Sequence, residues 1–187
     1  MAADVIAQSN RAGSVRTRAR LAGGLYVLAV VVAVLGEFVM PGRMGPADVA
    51  IPVGCYAAVV VLLYGVFAPV NRPVCAGLVV FGLAGLGLEA ARWQPGGVNA
   101  AMVLHGVYCV LLGWLMLRAK FFPRVLGAAM AMAGMVWLLY LNNSLAAAIA
   151  PWNTAVGLLG EALPMLWLLA MGVNERRWME QAAGGRR

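Results

Sequence analysis

Charge is the first scarcity. Only 11% of the 187 residues are Asp, Glu, Lys or Arg, where a soluble domain carries roughly a quarter. With a mean hydropathy of +0.85, that shortage excludes an ordinary water-facing surface. Acidic residues are scarcer still, seven against fourteen basic ones, and there is a single histidine, His105. One histidine makes no convincing metal site by itself, although His105 with two or three Glu could bind one. The three cysteines, Cys55, Cys75 and Cys109, are an odd number inside or at the edge of apolar runs. They exclude a disulfide framework and paired metal-ligand spacing and read as small apolar packing residues. Also absent are a Gly-rich phosphate loop, paired aspartates for a Mg²⁺-diphosphate, a Ser-His-Asp set within the apolar runs and a voltage-sensor arginine ladder. No convincing inverted repeat relates the spans, which counts against a transporter. The expectation is therefore no cofactor and no metal.

What the chain has is apolar length. Hydrophobic residues make up 63% of it, in six runs of about 20 residues, each able to cross a bilayer as a helix. They fall near Leu21–Met40, Val49–Pro69, Val74–Ala91, Val98–Leu117, Val125–Ala148 and Thr154–Val173. Short connections such as "VNRP", "RWQPGG" and "PWN" hold Pro, Gly or Asn, the usual breakers, and short loops make neighbouring helices antiparallel. The expected fold is all-α: a six-helix transmembrane bundle over residues 21–173, between basic tails at 1–20 and 174–187. The first 20 residues are polar, and no small-x-small cleavage site follows the long run after them, so they read as a tail and not a signal peptide.

Basic residues orient the bundle. With a cytoplasmic N-terminus, twelve fall inside: Arg11, Arg16, Arg18, Arg20, Arg72, Arg118, Lys120, Arg124, Arg176, Arg177, Arg186 and Arg187. Only Arg43 and Arg92 fall outside. Both termini are expected in the cytoplasm, and the pI near 10 reports topology, not a nucleic-acid partner. Trp93 and Trp152 then sit at the outer interface, where amphipathic rings are favoured.

At about 1.5 Å per helical residue, Glu37, Glu89, His105, Glu161, Asn142 and Asn143 all come to the outer half of the bilayer. Ionisable groups at that depth are costly and face the bundle interior or a wet cavity. Glu89 shares a face with Gly85 and Gly82, small residues that admit a neighbouring helix. Glu161 follows Gly157 and Gly160 and precedes Pro164, which removes a helix hydrogen bond beside the acid. Each also has a plain structural reading. Glu37 fits a group reaching the outer headgroups, Glu89 fits an ion pair with Arg92 one turn on, and any lone Glu fits an interhelical hydrogen bond. His105 fits best as a partner for a Glu. Asn142 and Asn143 fit substrate contacts or a cap of span 5 equally. Tyr56, Tyr108, Trp137 and Tyr140 fit core packing or, with their faces desolvated, a lining for a cation.

Four stretches carry a resemblance: "RARLAGGLYVLAVVVAVLGEF", "LLYGVFAPVNRPVCAGLVVFGLAG", "HGVYCVLLGWLMLRAKFFPRVLG" and "GEALPMLWLLAMGV". The sequence resembles a widespread family of small multi-span bacterial proteins known only as a domain of unknown function. The resemblance implies a membrane bundle in a bacterial plasma membrane. It also implies shared positions at Glu37, His105 and Glu161, with the Glu89 neighbourhood departing from the family, and it implies no established activity. Integral-membrane terpene cyclases are similar in architecture alone, with no matching motif.

The leading expectation is an enzyme acting on a hydrophobic, lipid-soluble small molecule, by proton-initiated isoprenoid or terpenoid cyclisation. Such chemistry needs a carboxylic acid held neutral in an apolar site, an aromatic lining and a base for the last proton. Glu161 or Glu89 would be the acid and His105 or Glu37 its partner. Trp137, Tyr108 and Tyr140 would face the cation. The alternatives are a non-catalytic membrane subunit or scaffold that docks a partner membrane protein or a second copy through glycine faces, and a proton-coupled carrier of a small solute.

Overall fold

The structure is a computed structural model, and it describes residues 2–39, 46–94 and 98–184, with side chains from 14 to 35, 50 to 94 and 98 to 184. Among the described residues there are eight α-helices and no strand. These are α1 (Ala2–Val39), α2 (Pro46–Phe67), α3 (Arg72–Ala90), α4 (Ala100–Arg118), α5 (Arg124–Trp137), α6 (Asn143–Ala148), α7 (Trp152–Ala170) and α8 (Glu175–Gly184). Six segments of the described residues are long and apolar enough to cross a membrane: Ser14–Leu35, Ala50–Phe67, Arg72–Ala90, Ala100–Arg118, Arg124–Leu141 (α5 with the 3₁₀ turn after it) and Trp152–Ala170. The protein is a multi-pass helical membrane protein.

Local chemistry explains the helix starts. Asn71 and Asn99 cap α3 and α4, their side-chain oxygens accepting from the amides of Val74 and Met102 at 3.1 and 3.2 Å, which satisfies one otherwise orphaned donor each. The fifth span departs from the expected single helix to Ala148. It ends in a 3₁₀ turn at Leu138–Leu141, and a separate α6 follows. Asn142 causes the break, because its extended backbone and its side-chain bond to the Leu145 amide (3.1 Å) start a new helix. α1 runs unbroken through the expected start of the first span at Leu21, and Val15 and Ala19 on its earlier turns are already buried against the bundle. Arg20 Nη2 donates to the Ala170 carbonyl at 3.0 Å, answering the negative end of α7.

The spans pack in the cyclic order α1, α2, α3, α4, α5, α7, and the ring closes where α7 meets α1. Glycines set the closest approaches. A Cβ on Gly113 would lie 2.5 Å from the Ala131 amide nitrogen, and one on Gly134 would lie 2.7 Å from the Gly106 carbonyl, so α4 and α5 touch along their backbones. Gly23 does the same against Met165 and Leu169 at the α1–α7 seam. Such contact is how helices associate where no water is expelled between them.

Antiparallel packing gives the two ends of the bundle different chemistry. Arg16, Arg72, Arg118, Lys120, Arg124 and Arg177 gather at the end where α1, α3 and α5 begin, whereas Arg92 is the sole described basic residue at the other. α8 caps the basic end, with Trp178 Nε1 donating to the Val66 carbonyl at 2.8 Å. Trp93 and Trp152 are exposed at the opposite end.

Candidate functional site

Every span sends a side chain into one cavity of about 290 Å³, toward the end away from the arginines. Ala33 comes from α1, Tyr56 and Val60 from α2, Gly82, Gly85 and Glu89 from α3, His105 and Tyr108 from α4, Trp137 from α5, and Leu158 and Glu161 from α7. Two glycines make its walls possible. Gly157 lets the Trp137 indole lie flat on α7, since a Cβ there would be 2.6 Å from Cζ2, and Gly82 leaves room for the Tyr108 ring at 3.0 Å. Both rings are pressed to the cavity wall by neighbours that lack side chains.

Glu161 is the centre. It lies at the middle of α7, three residues before the buried Pro164, and is only 2% exposed. Three donors from three other helices reach its carboxyl group. Trp137 Nε1 donates to Oε1, His105 Nε2 stands 2.9 Å from the same oxygen, and the Tyr26 hydroxyl donates to Oε2 at 3.4 Å. An indole N–H can only donate, so Oε1 is an acceptor whatever the state of the imidazole. Cys109 Sγ is 3.6 Å from His105 Nε2, one helical turn along α4. No buried polar side-chain atom among the described residues is left without a partner.

Rings enclose the histidine. Tyr108 stacks on it at 5.6 Å, and Tyr56 and Trp137 meet it edge-on at 5.9 and 6.1 Å. Tyr26 and Tyr56 contact each other at 5.5 Å. This geometry suits an imidazolium, a cation among aromatic groups with a carboxylate on its open side. His105 keeps 23% of its side chain exposed against 3% for Glu161, so the imidazole is the part of the pair that a ligand in the cavity can reach.

The structure brings together His105, Glu161, Tyr56, Tyr108 and Trp137. Glu89 lines the same cavity at its rim, exposed, and no ion pair joins it to Arg92 among the described residues. Tyr140 lies behind Trp137 at 6.0 Å and does not line the cavity. Asn142 and Asn143 are exposed around the start of α6, away from it. The side chain of Glu37 lies outside the described residues.

Two members of the cluster escape a reading by composition. Tyr26 is a lone tyrosine in an apolar run, and only the packing of α1 on α7 brings it to Glu161. Cys109 reads as packing when taken alone. The available signal was its i+4 spacing from His105, which puts both on one face of a helix. Cys109, His105 and Glu161 offer ligand atoms within 4.8 Å of one another, the described residues best placed to hold a metal.

Residues 86–172 match the model of a family described as a domain of unknown function (DUF4386). The matched stretch includes Glu89, His105, Cys109, Trp137 and Glu161 but stops short of Tyr26 and Tyr56. The match and the six apolar helices fit a small multi-span membrane family of unknown function. No curated protein and no solved structure matches the chain.

Proposed function

We propose that the protein is an integral membrane enzyme that moves a proton onto and off a lipid-soluble substrate, with His105 and Glu161 as the proton-carrying pair. The observation behind this reading is the pair itself: a 2.9 Å contact at the polar corner of an otherwise largely apolar cavity to which all six spans contribute. Trp137 and Tyr26 hold the carboxylate by hydrogen bonds, so it orients the imidazole, while the imidazole faces the cavity. A pre-aimed acid–base pair of this kind contributes about 10²- to 10⁴-fold to a proton-transfer step.

Proton-initiated cyclisation of an isoprenoid is the reaction that best uses these parts. The pair delivers a proton to a terminal alkene or epoxide, and the next carbon–carbon double bond attacks the cation to form the ring bond. The pair then takes back a proton from the adjacent carbon. No proton is consumed in that sequence, so one pair serves both ends of it. The Tyr56, Tyr108 and Trp137 faces stabilise positive charge developing nearby. A volume of about 290 Å³ lies at the small end of ligand sites, about 300–1,000 Å³. It suits the reacting end of a chain whose tail stays in lipid.

The glycines Gly23, Gly82, Gly106, Gly113, Gly134 and Gly157 meet atoms of this same chain, whereas Gly54 and Gly87 meet none and are the faces left to the alternative scaffold reading. The test is turnover of plain and epoxidised polyprenyl substrates by detergent-purified protein in D₂O. The expected product is cyclised; from the plain alkene it carries deuterium at the carbon first protonated, and from the epoxide the proton ends on oxygen as an exchangeable hydroxyl. Glu161→Gln and His105→Gln should each lose activity while eluting as folded protein. No product from the wild-type protein, or full activity in both variants, overturns the proposal.

A further inference from the structure

We infer that His105, Cys109 and Glu161 also form a binding site for a divalent transition metal of the zinc type, and that the metal silences the proton pair when it binds. This goes beyond the reading above, which uses His105 and Glu161 without a metal and gives Cys109 no part.

The donor set is the first argument. Imidazole nitrogen, thiol sulfur and carboxylate oxygen suit zinc-like ions, whereas calcium and magnesium take oxygen alone. His105 and Cys109 are four residues apart on α4 and so present their donors on one face, and Glu161 comes across from α7. All three ligand atoms lie within 4.8 Å of one another.

Distances supply the second argument. Bonds of about 2.3 Å to sulfur and about 2.0 Å to nitrogen at a tetrahedral angle put the two donors about 3.5 Å apart. The observed Sγ to Nε2 separation is 3.6 Å. The His105–Glu161 contact of 2.9 Å must open by about 0.4 Å to reach the corresponding nitrogen–oxygen span.

Surroundings and charge supply the third. Trp137 and Tyr26 hydrogen-bond the Glu161 carboxyl group, the outer support that metal-bound carboxylates commonly have. His105 and Glu161 both line the cavity, which can supply water as a fourth ligand, as in zinc sites that keep a place for it. A dication with one thiolate, one carboxylate and one neutral imidazole has no net charge, which favours it at bilayer depth. Binding releases the thiol proton and the proton shared by the pair. The metal then occupies Nε2, and neither His105 nor Glu161 can deliver a proton. Entry runs through the cavity, because Cys109 is fully buried and His105 is not.

The experiment uses chelator-stripped protein in detergent and Co²⁺ as the probe. One equivalent should give tetrahedral visible bands and a thiolate-to-cobalt charge-transfer band, and one equivalent of Zn²⁺ should abolish both. Cys109→Ser should lose the charge-transfer band and bind Co²⁺ at least tenfold more weakly. Cys109→Ala, compared by thermal melting, separates that loss from misfolding. In the cyclisation assay, Zn²⁺ should inhibit wild-type protein and spare Cys109→Ser. Absence of stoichiometric Co²⁺ binding, or a charge-transfer band that survives Cys109→Ser, overturns the site. Equal Zn²⁺ inhibition of both proteins overturns the silencing. The cobalt spectrum needs no turnover, so a failed enzyme reading leaves this result legible.

Discussion

Gly157→Ala tests the packing that builds the site. The new Cβ would stand 2.6 Å from Trp137 Cζ2, 2.7 Å from Cε2 and 3.1 Å from Cη2. Carbon atoms rest about 3.5 Å or more apart, so the indole must recede by about 0.9 Å or α5 must leave α7. Trp137 is only 5% exposed, and its Nε1 is tied to Glu161, so neither movement is free. Overpacking costs about 1–3 kcal/mol, and weakening a hydrogen bond to a charged group about 1.5–3 kcal/mol. A loss of about 3 kcal/mol is expected for Gly157→Ala. Trp137→Phe removes the clashing ring atoms together with the donor, so Gly157→Ala should cost almost nothing in that background. Thermal unfolding of the four proteins in one detergent gives the cycle, with an expected coupling of about 3 kcal/mol. Additivity within about 0.5 kcal/mol, the behaviour of independent sites, would refute the argument that Gly157 exists to seat the indole.

Glu161→Leu should be less stable than Glu161→Gln, because leucine strands the donors of Trp137, His105 and Tyr26, at about 1–3 kcal/mol for each one left buried. Equal melting temperatures of the two variants would mean that the carboxyl group does not hold the cluster. Asn142→Ala should cost about 0.5–2 kcal/mol through the lost cap of α6 while leaving turnover unchanged, and a turnover loss beyond the stability loss would make Asn142 a substrate contact after all. Reporters fused after Arg187 should read as cytoplasmic, because the basic residues gather at one end of the bundle. An external reading would place the cavity in the opposite leaflet.

Sequence alone determined the class, the number of spans and the division of basic residues. Each depends on how many apolar or charged residues stand in a row, and lipid imposes that requirement on every helix separately. It also marked His105 and Glu161, since any ionisable group at bilayer depth needs a reason. The tertiary structure decided which groups meet. Nothing along the chain ties Tyr26 to Glu161, 135 residues away. Closure of the ring at the α1–α7 seam joins them, and that seam depends on Gly23. Glu89 shows the converse. Its glycine-rich face packs as its spacing implies, with Gly82 against Tyr108 and Gly85 against α4, yet the carboxylate sits at the rim because α3 ends one residue later. Hydropathy is a property of one helix and can be read from one helix. A donor's partner is set by how far apart, and at what rotation, two helices come to rest, and those are fixed jointly by six of them.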